Sequence, residues 1–341
     1  MENSMKMHLK WLMISIVGAC LLTGCDKPAP RPTPDKITVQ LKWFHQAQFA
    51  GFYLAQENGF YADENLEINF LEGGKNVDTI KAIVSGRADF AVAAPEDILI
   101  KQSRKAPIKA IAAVYRRSAV VFLAKADSGI ERPFDFVGKT VAIEGLTIGI
   151  RDFRIQFDAL ERKLKLDQTH IKRVAFDPGH KTFQNGAVDI TPSFITGGLI
   201  SMKHAGYKLN VIWPGDYGIH FYSDTLVASE RIIANKPEVV IRFLRATLKG
   251  WHEAMGDTEA AVAATLKYAR IKDASLQKAM MEAQLPLVHT GEDHIGWMKK
   301  KQWREMIQIL GEQNIISEPL PDVSKVYTMR FLEIVYGGSD K

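Results

Sequence analysis

The side chains able to do chemistry in this chain are not arranged as a covalent catalyst arranges them. Both cysteines, Cys20 and Cys25, lie within the first 25 residues, so the remainder holds no thiol for a disulfide, a nucleophile or a thiolate metal site. No Ser/His/Asp motif, phosphate-cradling glycine loop or metal-ligand cluster rises above chance, and Gly145 with Gly149 is a lone glycine pair. What the sequence offers instead is a set of flat and amide side chains. Trp43, Phe49, Phe194, Tyr217 and Tyr222 could face an aromatic ring, each stack adding about 0.5–1.5 kcal/mol beyond area burial; each could equally fill a core. Gln46 and Gln48 carry donor and acceptor together, which suits an amide or a ring-nitrogen edge. His45 titrates near neutrality, but no second histidine or carboxylate stands at ligand spacing, so no metal is expected there. Glu96, Glu144 and Asp177 are carboxylates that could cap helices or touch a ligand. Together they disfavour an anion in a closed cleft, whereas Arg116-Arg117 and Thr147 near a helix start argue for one. The balance points to a neutral or aminated heteroaromatic small molecule that is bound and not transformed.

The elements that must position these residues alternate between two periods. Strands are predicted at 37–43, 66–71, 88–93 and 108–115, with helices at 49–57, 77–85 and 95–104 between them. Pro95 takes a first helical position, where its missing N–H costs nothing. This rhythm predicts a mainly parallel, covered sheet. A second set reads as strands at 139–143, 171–176, 189–191 and 209–213, with helices at 148–164, 180–185 and 198–204. The last third is helical, and in 237–255 the residues Val240, Leu244, Thr247, Leu248, Trp251 and Met255 form one core-packing stripe. Further helices are expected at 260–269, 276–285, 298–310 and 323–335. Two lobes follow: 37–118 plus 226–341, and 119–225, hinged near 119–125 and 221–229. Trp43 and His45 then follow the first strand, Pro95 and Glu96 the third, and Tyr115 the fourth, while Glu144 and Asp177 hold equivalent places in the second set. Open α/β sheets bind ligands beyond such strand ends.

The N-terminus addresses the chain. Lys6 and Lys10 precede an apolar run at 11–22, too short to span a bilayer but suited to a signal peptide. It ends in Leu22-Thr23-Gly24-Cys25, which resembles the lipobox of bacterial lipoproteins, with residues 1–24 removed and Cys25 lipidated. Asp26 directly after it implies retention at the inner membrane, on its periplasmic side. Four prolines in residues 26–36 make residues 25–36 an extended tether. The net charge of +5 is scattered, with Lys299-Lys300-Lys301 the densest basic run, and a solvated helix face accounts for it better than nucleic-acid binding.

Four segments, in order, carry a resemblance. They are QLKWFHQAQFAGFYLAQENGFY at 40–61, EGG with VSGRADFAVAAPE within 72–96, DYGIHFYSDTLVAS at 216–229 and HIGWMKKKQWREMIQILGEQNII at 294–316. The chain resembles the type II periplasmic binding proteins related to thiamine-pyrimidine synthesis and uptake, a group that also holds sulfonate, taurine and nitrate binders. The resemblance implies an α/β fold of two lobes with a hinge and an interlobe cleft. It implies a monomeric solute-binding protein serving an ABC permease and its ATPase, with no cofactor and no catalytic residue. Trp43 falls at the matching position of the family's pyrimidine binders. Phe49 stands where those relatives carry a histidine, and Phe194-Ile195-Thr196 where they carry an aromatic followed by Asn-Glu. The alternatives are a sensing module acting on a separate receptor and a binder of organic sulfonates. A pyrimidine synthase is disfavoured: its lysine and histidine fall at Ala93 and Asp97, and its cysteine segment has no cysteine here.

Overall fold

The computed structural model describes residues 33–291, 293–317 and 321–337. Cys25, the predicted signal peptide and most of the predicted tether lie outside the described residues. The last tether residues, Asp35 and Lys36, already belong to a strand. In chain order the strands are β1 (Asp35–Gln40), β2 (Leu66–Leu71), β3 (Phe90–Ala93), β4 (Ile108–Ala113), β5 (Val120–Lys125), β6 (Thr140–Glu144), β7 (Lys172–Ala175), β8 (Thr191–Phe194), β9 (Leu209–Ile212) and β10 (Thr225–Ser229). The first lobe holds a sheet in the order β2-β1-β3-β10-β4. Its first three strands run parallel, and β10 is antiparallel to both of its neighbours. β3 and β10 are buried on both faces, so FAVA and TLVAS read as continuous small and apolar runs instead of alternating. The second lobe is built differently. It has an antiparallel sheet, β8-β5-β9, and a separate parallel pair, β6-β7.

The helices that matter for the site are α1 (Ala50–Glu57), α2 (Pro95–Ser103), α3 (Asp152–Leu164), α4 (Lys181–Gln184), α5 (Gly198–His204), α6 (Pro237–Gly256) and α7 (Ala274–Val288). α6 packs on α1, and its stripe faces the core, with Val240, Leu244, Thr247, Leu248 and Trp251 buried. It lies so close to α1 that a Cβ on Gly250 would sit 2.2 Å from the Gly51 carbonyl oxygen. A Cβ on Gly51 would meet the Trp251 ring at 2.3 Å, so only glycine permits this crossing.

Several predicted elements change: the strand expected at 37–43 ends at Gln40, and the helix expected at 323–335 splits into Val323–Val326 and Arg330–Val335. The helix expected at 148–164 breaks into a 3-10 turn, Ile148–Ile150, and α3. The break lets the Gly149 N–H donate to the Lys75 carbonyl at 3.0 Å, across to the first lobe. The strand expected at 189–191 forms at Thr191–Phe194, because it is set by pairing with β5, Phe194 opposite Val120. The chain leaves the first sheet after Ala113 and returns to it at Thr225, and residues 34–341 pack as one compact unit.

Candidate ligand-binding cleft

Beyond the end of β1 the chain turns through Trp43, Phe44 and Gln46 and faces residues of the second lobe. Between them lies a cavity of about 360 Å³, within the range of small-molecule sites. Ile150 and Phe153 line it from the start of α3, Phe176 and His180 from the loop after β7, and Ser193 and Phe194 from β8. Met280 of α7 and the exposed Ile271 sit at its edge. The walls are aromatic and mutually braced. Trp43 lies 5.2 Å from Phe44 and 6.4 Å from Phe194, centroid to centroid. Phe153 lies 4.5 Å from Phe194 and 5.6 Å from Phe176. Polar groups are few: Gln46, His180, Gln184, Ser193 and Ser201. Among the described residues none lining this cavity is a lysine, arginine or carboxylate. Gln46 is oriented from behind, its Nε2 donating to Gln48 Oε1 at 2.9 Å, and Gln48 Nε2 donating to Asp224 Oδ2 at 2.6 Å.

Behind Phe194 the charges are collected and buried. Lys42 Nζ stands 4.7 Å from the Phe194 ring centroid, 3.2 Å from Asp152 Oδ2 and 4.0 Å from Asp224 Oδ1. Glu96 Oε1 accepts from Gln156 Nε2 at 2.9 Å, and Gln156 Oε1 accepts from the Ser118 hydroxyl at 2.8 Å. Arg151 Nε approaches Asp97 Oδ1 to 2.8 Å but is not aligned for a hydrogen bond. Burial opposes the Lys42 charge, yet Asp152, Asp224 and Glu96 outweigh it and hold the ammonium above the ordinary lysine range. Burial and the Asp152 charge push Glu96 up to about 8. Burial likewise raises Asp97 to about 7, against the pull of Arg151. Lys42 and Glu96 come from the first lobe, Asp224 from the passage just before β10, and Asp152 and Gln156 from α3, so this network joins the two halves beside the cavity. An ion pair this buried returns little net stability, but breaking one partner is costly.

This architecture has counterparts. A model of the NMT1/THI5-like family matches residues 46–261. The chain belongs to that family. It is 25% identical to a riboflavin-binding protein of Chloroflexus aurantiacus over 98% of this chain and 99% of the relative. It is also 25% identical to a formylaminopyrimidine-binding protein of Halalkalibacterium halodurans, over 84% and 88%. Among solved structures, the periplasmic aliphatic sulphonate binding protein SsuA of Escherichia coli superposes with a TM-score of 0.70 at 14% identity, covering 88% of this chain and 99% of that one. The two-lobe periplasmic binding protein fold is therefore that of this NMT1/THI5-like chain, and its relatives include solute-binding proteins and, at 23% identity over 87% of this chain, a 4-amino-5-hydroxymethyl-2-methylpyrimidine phosphate synthase of Legionella pneumophila.

Of the residues singled out in the sequence, Trp43, Gln46 and Phe194 line the cavity. The others lie elsewhere. Gln48 is one layer behind, on Asp224. His45 turns away, its Nδ1 2.8 Å from the Tyr53 hydroxyl, and burial lowers its pKa. Phe49 is fully buried in the core of the first lobe. Pro95 and Glu96 open α2 and are buried. Tyr115 is fully buried, its hydroxyl donating to Gln284 of α7. Glu144 pairs with Arg154. Asp177 accepts backbone N–H groups from Gly179 at 3.0 Å and Lys181 at 2.7 Å, as a cap for α4, and these bonds hold its carboxyl below the usual range. Tyr217 is half-buried in the 3-10 turn Pro214–Tyr217, and Tyr222 is buried beside Trp303, accepting from the Lys299 N–H at 2.6 Å. The cavity residues that sequence reasoning missed are Phe44, Phe153, Phe176, His180 and Ser193. Of these, Phe44 carried a signal, since it follows Trp43 at the same strand end.

Proposed function

We propose that this protein is the solute-capturing subunit of an ABC importer, tethered outside the cell membrane by lipid on Cys25, and that its cargo is a flat, uncharged heteroaromatic molecule. The observation that carries this reading is the cavity itself: rings from both lobes around a slot with a few amide, imidazole and hydroxyl groups. Such a lining rewards a planar apolar body with polar edges. It gives a sulfonate nothing to pair with, because the nearby cation, Lys42, is already engaged by Asp152 and Asp224. The names of two relatives, a riboflavin binder and a formylaminopyrimidine binder, fit the same ligand class. We place the hinge in the two passages between sheets, around residues 114–119 and 218–224, with lobes close to 37–118 plus 226–341 and 119–225. Closure would be driven by ligand contacts that exist only when both lobes meet.

A synthase reading lacks its chemistry: Ala93 ends β3 with no amine for a Schiff base, and Asp97 is buried against Arg151. Calorimetric titration with riboflavin and with formylaminopyrimidine tests the binding role. At least one is expected to bind, and Trp43→Ala should weaken it about tenfold, the scale of one lost stack, with an unchanged melting temperature. Binding that survives Trp43→Ala undiminished, or consumption of the bound compound, would contradict the proposal. A sensing role differs in its partner alone, and genes beside this one encoding a receptor in place of a permease would favour it.

A further inference from the structure

His180 is the cavity residue with the most elaborate support. It adopts a left-handed backbone, φ 54° and ψ 18°, at the residue preceding α4, a conformation uncommon for a side chain larger than glycine. The turn is gripped to hold it there. The Asp177 carboxylate accepts N–H groups on either side of it, and the Asp177 carbonyl accepts the N–H of His180 itself at 2.8 Å. The strained backbone delivers the imidazole inward, where it is buried and packs edge-on to Phe176 at 5.6 Å. One ring nitrogen is occupied: Nδ1 lies 3.1 Å from Thr191 Oγ1. Nε2 has no hydrogen-bond partner among the described residues. It points towards Gly198 at the start of α5, where a Cβ would lie 2.5 Å from it and 2.7 Å from Ser193 Oγ. Gly198 therefore leaves room for the imidazole in a wall that is otherwise aromatic, with the Ser193 hydroxyl beside it. Burial lowers the His180 pKa, so the ring presents one nitrogen of a neutral imidazole to the cavity.

We infer that His180 Nε2 is the anchor that orients the ligand, hydrogen-bonding a ring nitrogen on the edge of a heteroaromatic held between the aromatic walls. The inference rests on the proposed binding of such a ring and adds to it which edge must carry the heteroatom. A neutral imidazole has one donor and one acceptor, and with Nδ1 committed to Thr191 the remaining nitrogen selects by hydrogen bonding, whereas Trp43 and Phe194 select only by shape. Gly198 is a positioning residue, required so that nothing fills the space in front of Nε2.

The test uses two probes of the same shape, quinazolin-4-amine and 1-naphthylamine, which differ by the two ring nitrogens. The wild-type protein is expected to prefer the quinazoline by about tenfold, the effect of one net hydrogen bond. His180→Phe should erase that preference while leaving 1-naphthylamine within twofold of wild type, and His180→Gln, which keeps a polar head, should restore part of it. Histidine ¹⁵N shifts provide a second readout, with the His180 Nε2 resonance moving on addition of quinazolin-4-amine but not of 1-naphthylamine. If His180→Phe weakens both probes equally, or if wild type shows no preference while Trp43→Ala still weakens both, the anchor is refuted and aromatic capture stands. If wild type binds neither probe, and neither riboflavin nor formylaminopyrimidine, aromatic capture itself fails and the anchor with it.

Discussion

Glu96→Gln probes the buried charge network through its pH dependence. Glu96 is pushed from 4.5 up to about 8, first by burial and then by the neighbouring Asp152 charge. Between those values the folded protein keeps a proton that the unfolded chain has released. Stability from this group is thus complete below about pH 4.5, drains away as pH rises, and levels off above about pH 8. The slope is about 1.4 kcal/mol per pH unit for each such group. Asp97, raised from 3.8 to about 7, adds a second loss over the lower part of the same window. Wild type should therefore lose stability steeply between pH 5 and 7, where both groups contribute, and less steeply between pH 7 and 8, where Glu96 alone does. A glutamine at 96 keeps the volume and can still accept from Gln156 Nε2 through its amide oxygen, but has no proton to lose. In Glu96→Gln the decline between pH 5 and 8 should be shallower than in wild type by about 1 kcal/mol per unit, and by pH 8 the variant should exceed wild type by several kcal/mol, a large share of a typical domain's stability. Urea denaturation at pH 5, 6, 7 and 8, extrapolated with a common m-value, measures this. Parallel curves for the two proteins would show that Glu96 is already ionised in the fold, and the account of the network would be wrong.

Lys42→Met leaves Asp152 and Asp224 facing each other without their cation. It should cost about 3–5 kcal/mol at pH 7, and less at pH 5, where a carboxylate can take up a proton; equal losses at both values in urea titrations would count against the pairing. Gly250→Ala forces a Cβ against the Gly51 carbonyl and should destabilise by about 1–3 kcal/mol or more, seen as a lowered midpoint in thermal melts. A melt unchanged from wild type would mean that α1 and α6 are further apart than described. Cys25→Ser should leave the folded body soluble in the periplasm, and persistence in washed membranes would exclude lipid as the anchor.

What could be read from the sequence, and what could not, divides along contact distance. Trp43 and Gln46 line the cavity because they follow β1 directly, and the rule that ligands sit beyond strand ends needs only local information. The same rule misplaced Tyr115. It too follows a strand, β4, but that strand pairs with β10, and the end is sealed by the Asp224 carbonyl, which accepts the Val114 N–H at 2.9 Å. Whether a strand end is open or sealed depends on a partner more than a hundred residues away. Phe49 and Tyr222 failed for a related reason: aromatic content does not say which face of a turn or crossing looks into the cleft. The buried network shows the limit most clearly. Lys42 stands next to Trp43, just past the end of β1. Nothing local says that Lys42 meets Asp152, 110 residues on, or that Glu96 would be held by Gln156 and not by a ligand. His180 depends on the same kind of closure, since its role needs Gly198, Ser193 and Thr191 from the next strand and helix to arrive around it. Local position thus brings Trp43 and Gln46 to the cavity, whereas the polar chemistry around it depends on pairs that only the folded chain brings together.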